Sequence, residues 1–120
     1  MDTLIFSGIT EYVAEYSSHY GVGILDDEGY TLLKYENGTH YKQHHDCGGN
    51  HRDRVVSILV YLNDDYEGGQ LTFPFFDVTY TPMAGDIVLF PSNYTFAHIA
   101  EPVTKGTKYA IVSWMRYGNV

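Results

Sequence analysis

Cysteine is nearly missing from this chain: Cys47 is the only one in 120 residues, so no internal disulfide framework can form and a reducing compartment is expected. Positive charge is scarce as well. Seven Lys and Arg stand against 15 Asp and Glu, a formal net charge of −8, which argues against a groove built to neutralise nucleic-acid phosphates and against an anionic lipid surface. No apolar run suits a bilayer either: the opening MDTLIFSGIT is far too short, and Asp2 stands where a signal peptide would carry positive charge. The expectation is a cytoplasmic protein without a targeting segment. No low-complexity tract, internal repeat or linker divides the sequence, so residues 1–120 are expected to form one domain with a real core. A Ser/His/Asp or Cys/His constellation for nucleophilic catalysis is also absent.

What the chain does have is tyrosine. Twelve Tyr, together with Val, Ile, Thr and Phe, suit pleated, half-buried surfaces and lean the composition towards β structure. Residues 10–20 differ, because Val13, Tyr16 and Tyr20 recur at helical spacing before Gly21; the pattern predicts one short amphipathic helix on the outside of a sheet. His19 within it reads as a partly exposed polar residue. Residues 26–29 (DDEG) read as a turn and 30–35 as a strand, and the pair Asn37 and Gly38 predicts a hairpin-like bend between Tyr35 and Tyr41. The run VVSILVYL at 55–62 predicts a central strand covered on both faces. Further strands are predicted at 71–76, where Pro74 marks an edge or a break, and at 86–90, 96–101 and 108–117. About eight short strands between Gly, Pro, Asn and Asp turns indicate an all-β-dominated (α+β) chain, a sandwich or jelly roll.

Chemistry concentrates in KYENGTHYKQHHD, residues 34–46. On a strand, His44 and Asp46 leave the same face, and an imidazole beside a carboxylate supplies two of the three ligands of a facial triad for non-haem iron. Alone, that spacing is common. His45 points the other way on a strand and reads as a surface or supporting residue; His51 sits in the polar, Gly-rich loop 47–53, which would place a ligand poorly. His98 in TFAHIAEP is flanked by apolar residues, and such a histidine is by itself more often a core or hydrogen-bonded residue than a third ligand. Ten residues later comes Lys108, which shares a strand face with Ala110, Val112, Trp114 and Arg116. Pointing inward, its ammonium would need an anion opposite, since burying an unpaired cation is costly; the small side chains leave room for a small dicarboxylate. It could instead mark the exposed start of a strand.

Taken in order, YxxGxxYxxHxD at 35–46, YLN and EGGQLTFP at 61–74, AGDIVLFPS at 84–92 and His98 with Lys108 resemble the iron(II) and 2-oxoglutarate-dependent dioxygenases, in particular the prolyl 4-hydroxylases. The likeness covers roughly residues 30–117. It implies a double-stranded β-helix, or jelly roll, with His44, Asp46 and His98 as metal ligands. Lys108 would pair with the distal carboxylate of 2-oxoglutarate, Tyr35 and Tyr61 would lie near that carboxylate, and Leu71 and Trp114 would line the pocket. The implied reaction consumes O2 and 2-oxoglutarate at Fe(II), with ascorbate as reductant, releases succinate and CO2, and hydroxylates an unactivated C–H, foremost a prolyl residue of a peptide or protein. Cys47, next to a ligand, would be open to oxidation, although a small loop residue is the simpler role. The chain is shorter than typical members, with little lid in loop 47–53, which favours an extended polypeptide substrate over a free amino acid. A hydroxylase of other side chains or small molecules, a catalytically silent metal-binding module, and a cupin-like isomerase are the alternatives. Lys108 speaks against the second and the scarcity of histidines at the first strand against the third. The oligomeric state stays open.

Overall fold

The computed structural model describes residues 2–118, with side chains from residue 8 onward. A helix, α1 (Asp2–Tyr20), is followed by β1 (Ile24–Asp27), β2 (Thr31–Tyr35), β3 (Tyr41–His44), β4 (Arg54–Tyr61), β5 (Glu67–Gly68), β6 (Leu71–Phe73), β7 (Val78–Tyr80), β8 (Ile87–Pro91), β9 (His98–Ala100), β10 (Val103–Lys105) and β11 (Lys108–Tyr117). Short 3-10 turns occupy Pro74–Phe76 and Tyr94–Phe96.

Two antiparallel sheets face one another. In the larger, β4 lies between β8 and β11, and β11 pairs with both β1 and β2 along its other edge. The smaller runs β3–β9–β6–β7, and β5 pairs with β10 beside it. Successive strand residues point to opposite faces, so β4 sends Val56, Ile58 and Val60 one way and Ser57, Leu59 and Tyr61 the other. The first set joins Ile111, Met115 and Ile9 in the buried core under α1; the second lines a cavity between the sheets. The expectation of a strand covered on both faces is thereby met, and the fold is a jelly roll with its helix packed on the outside.

Several boundaries differ from the sequence reading. The helix is not short: it spans 19 residues and begins at Asp2. Gly8 and the β-branched Thr3, Ile5, Ile9 and Thr10 weaken the helical signal before residue 11, yet Ile9 is only 1 % exposed and packs with Val13 and Tyr16 against the sheet. Tertiary burial overrides propensity there. Tyr20, placed on the buried face by spacing, is exposed. Among the described residues eleven strands replace the expected eight or so, because β5, β7 and β10 have two or three residues each, too few to show periodicity, and β1 runs into the acidic stretch read as a turn. The strand expected at 71–76 stops at Phe73, where Pro74 opens a 3-10 turn, and the one expected at 96–101 starts at His98. Asn37 and Gly38 do not close a hairpin: β2 pairs with β11 and β3 with β9, so the bend carries the chain from one sheet to the other. Gly38, at a φ of 86°, makes that passage while its N–H donates to Val103 O at 2.7 Å.

Candidate metal centre

β3 and β9 pair with His44 directly opposite His98, and their rings lie 4.3 Å apart between centroids. Asp46 is not on the strand. It lies two residues past the end of β3, so strand alternation does not place it; hydrogen bonds do. Its N–H donates to Ser92 O at 3.1 Å, and its Oδ2 accepts the Ser57 hydroxyl at 2.5 Å. Ser57 and Ser92 also share a hydroxyl–hydroxyl bond of 2.8 Å in the interior. Ser57 and Ser92 escaped the sequence reading, although a lone serine inside VVSILVYL was the available signal.

These bonds turn three ligand atoms towards one point. Asp46 Oδ1 is 3.3 Å from His44 Nε2 and 3.7 Å from His98 Nε2, and one donor atom from each residue falls within 4.8 Å of the others. The opposite ring nitrogens are engaged: His44 Nδ1 meets Lys42 O at 2.6 Å and His98 Nδ1 meets Phe96 O at 2.9 Å. A carbonyl can only accept, so each Nδ1 carries the proton and each Nε2 lone pair is free for a metal. Burial raises the Asp46 carboxyl, but the His44 contact, the Ser57 hydroxyl and the nearby His98 outweigh it and hold its pKa down at about 2. His98 is pushed down from the ordinary histidine value, chiefly by burial, and His44 is drawn up by Asp46. Two imidazoles, one ionised carboxylate and an open side form a donor set that fits an iron(II)-type ion.

The same cavity, about 640 Å³, contains Lys108, Tyr35, Tyr61, Leu71 and Trp114. Lys108 is 3 % exposed, which removes the reading of an exposed strand start. Its Nζ donates to Gly69 O at 3.1 Å and lies 4.1 Å from the centre of the Tyr35 ring. Burial brings its pKa down to about 8. Along β11, Lys108 pairs with Tyr35 and Ala110 with Tyr61, so the two tyrosines flank the ammonium from neighbouring strands. Burial raises both phenols above their ordinary value, Tyr61 the more strongly, and they stay protonated donors. Arg116 leaves the set: the register of β11 against β4 shifts between Met115 and Arg116, and its guanidinium pairs with Asp26 outside the cavity. His45, Cys47 and His51 lie at the cavity rim without joining the cluster of three. Cys47 Sγ faces Arg52 O at 3.4 Å, and His19 is exposed. No described helix is long and apolar enough to cross a membrane.

A jelly roll that turns two imidazoles and a carboxylate into an internal cavity has the donor set of a mononuclear, non-haem metal site. The chain belongs to the 2OG-Fe(II) oxygenase superfamily, whose sequence model matches residues 30–116. It is 32 % identical over 117 residues to the probable prolyl 4-hydroxylase 9 of Arabidopsis thaliana, covering 74 % of this chain and 41 % of that protein. The chain thus spans well under half the length of that relative. The viral collagen prolyl hydroxylase of Paramecium Bursaria Chlorella virus-1, solved as a 2OG complex, superposes with a TM-score of 0.80 at 22 % identity, over 95 % of this chain and 72 % of that one. A Trichoplax adhaerens prolyl hydroxylase, solved with a hypoxia inducible factor peptide fragment, matches with a TM-score of 0.71 at 27 % identity, over 80 % of this chain and 46 % of that one.

Proposed function

We propose that this chain is an Fe(II)- and 2-oxoglutarate-dependent dioxygenase that hydroxylates a prolyl residue of a peptide or protein, releasing succinate and CO2. The carrying observation is the coexistence, in one cavity, of the His44–Asp46–His98 cluster and the buried ammonium of Lys108. His44 Nε2, Asp46 Oδ1 and His98 Nε2 would hold the metal. Lys108 would pair with the distal carboxylate of 2-oxoglutarate, with Tyr35 and Tyr61 donating hydroxyls to the same anion. Leu71 and Trp114 would wall the co-substrate, and a cavity of about 640 Å³ lies within the roughly 300–1,000 Å³ of small-molecule sites.

When bound, Fe(II) supplies the activation of O2 coupled to oxidative decarboxylation of 2-oxoglutarate, with ascorbate as reductant. The chain's own part is placement and exclusion of water. Ser57 keeps Asp46 oriented, the carbonyls of Lys42 and Phe96 keep the imidazoles turned inward, and the ammonium draws the co-substrate in by its far end. A polypeptide substrate is supported by the prolyl 4-hydroxylase relative and by the peptide seen in the Trichoplax adhaerens enzyme. Incubation with Fe(II), 2-oxoglutarate, ascorbate and a proline-containing peptide library, followed by mass spectrometry, tests the reading. A gain of one oxygen on proline is expected; a gain on other residues only would replace the prolyl assignment.

A further inference from the structure

Arg54 opens β4 at the rim of the cavity, and no step of the chemistry above uses it. Its guanidinium is nonetheless engaged through all three nitrogens. Nε and Nη2 grip the two carboxylate oxygens of Glu28 at 2.7 and 3.0 Å, Nη1 reaches Asp46 O at 3.4 Å, and Cζ lies 3.6 Å above the centre of the Trp114 indole. Glu28 comes from the turn after β1, and its N–H donates to Trp114 O at 3.0 Å. Both ionic side chains are largely covered, at 12 % and 20 % exposed. Such a forked pair has defined geometry, unlike most surface ion pairs.

The indole itself also lines the cavity. Its Nε1–H is buried and has no hydrogen-bond partner among the described residues. The guanidinium stacked on the ring is the same one that reaches the Asp46 carbonyl, so its orientation bears on both. We propose that the Glu28–Arg54 pair is a positioning device: it holds the guanidinium flat on Trp114 and against the Asp46 carbonyl, and so keeps the pocket wall and the Asp46 backbone in place. Lysine cannot replace arginine here, because it offers neither the planar stack nor the fork. The inference rests on the metal-binding role of Asp46 proposed above.

Trp114 is the only tryptophan of the sequence, so its emission reports the ring directly. The decisive variant is Glu28→Gln, which leaves Arg54 in place but removes the charge that orients it; Arg54→Lys is the second, and Asp26→Asn, which breaks the Arg116 pair on the same strand, is the control. Trp114 emission is read without metal, and Mn(II), a redox-stable stand-in for iron, is titrated into each protein. Glu28→Gln and Arg54→Lys are expected to shift the emission and to weaken Mn(II) binding about tenfold, with circular dichroism unchanged and Asp26→Asn like wild type. Unaltered emission and Mn(II) affinity in Glu28→Gln would overturn the proposal, as would equal losses in Asp26→Asn, which would mark a general effect of β1. Wild-type protein that binds no Mn(II) contradicts the metal assignment itself, and the emission of the metal-free variants then still shows whether the pair holds the ring.

Discussion

Ser57 and Asp46 are joined by a 2.5 Å hydrogen bond between Oγ and Oδ2, which spends one carboxylate oxygen inside the protein and leaves the other facing His44 and His98. Ser57→Ala removes that donor from a residue with no exposed surface. The Asp46 pKa should rise and metal affinity should fall about tenfold, checked by Mn(II) titration, with 2-oxoglutarate affinity at saturating metal little changed.

Lys108→Ala separates the two halves of the cavity. Loss of the ammonium lining it should raise the 2-oxoglutarate requirement roughly a hundredfold while Mn(II) binding persists. Lys108→Met should lose the co-substrate equally but fold at least as stably, since the buried charge has no carboxylate partner among the described residues. Isothermal titration with each ligand and urea unfolding distinguish these effects; parallel loss of metal and 2-oxoglutarate would refute the division of roles.

The pH dependence follows from the same side chain. Its folded pKa, about 8, lies below the ordinary lysine value near 10.4. Between those values the unfolded chain retains a proton that the folded one has released, so this group makes the ligand-free protein more stable as pH rises through that window. 2-Oxoglutarate binding should move oppositely and weaken above about pH 8, as the cation is lost. Binding measured across that range should show the decline in wild type and not in Lys108→Arg, whose guanidinium stays charged.

Gly69 supports the lysine from behind. Its φ is +69°, and a Cβ there would sit 3.0 Å from Tyr66 Cε2 and 3.2 Å from Lys108 Cδ. Gly69→Ala should cost about 1–3 kcal/mol of stability through backbone strain and weaken 2-oxoglutarate more than Mn(II), read by urea unfolding and the two titrations.

At the opposite face, Ile9→Ala should destabilise by roughly 2–5 kcal/mol, as for other buried large-to-small changes, with ligand affinities of the folded protein unchanged. Ile9 lies in the core under the helix, remote from the cavity lining.

The site was legible in the sequence to the extent that order and spacing of whole motifs carried it. His44 and Asp46 lie far along the chain from His98 and Lys108, and neither HxD nor a histidine among apolar residues points to a shared site; the structure brings all four to one cavity. What stayed hidden was the support. Arg54, Glu28, Ser57 and Ser92 act through pairings between distant segments, such as the 26-residue separation of Glu28 and Arg54, and no local pattern encodes a partner that distant. Asp46 shows the reverse: its grouping with His44 was anticipated from strand alternation, whereas hydrogen bonds to Ser57 and Ser92 hold it beyond the strand end. The long helix was half-hidden because its first turns are poor helix formers stabilised by burial of Ile9. Very short strands leave too few residues for periodicity to register.

The most direct measurement is the conversion of 2-oxoglutarate to succinate by the purified protein with Fe(II), O2 and ascorbate, run beside Asp46→Ala and Lys108→Ala. Succinate from wild type, none from Asp46→Ala, and recovery in Lys108→Ala only at greatly raised 2-oxoglutarate are the expected results. A folded wild-type protein that binds the metal yet yields no succinate, with or without a proline-containing peptide, would contradict the oxygenase assignment.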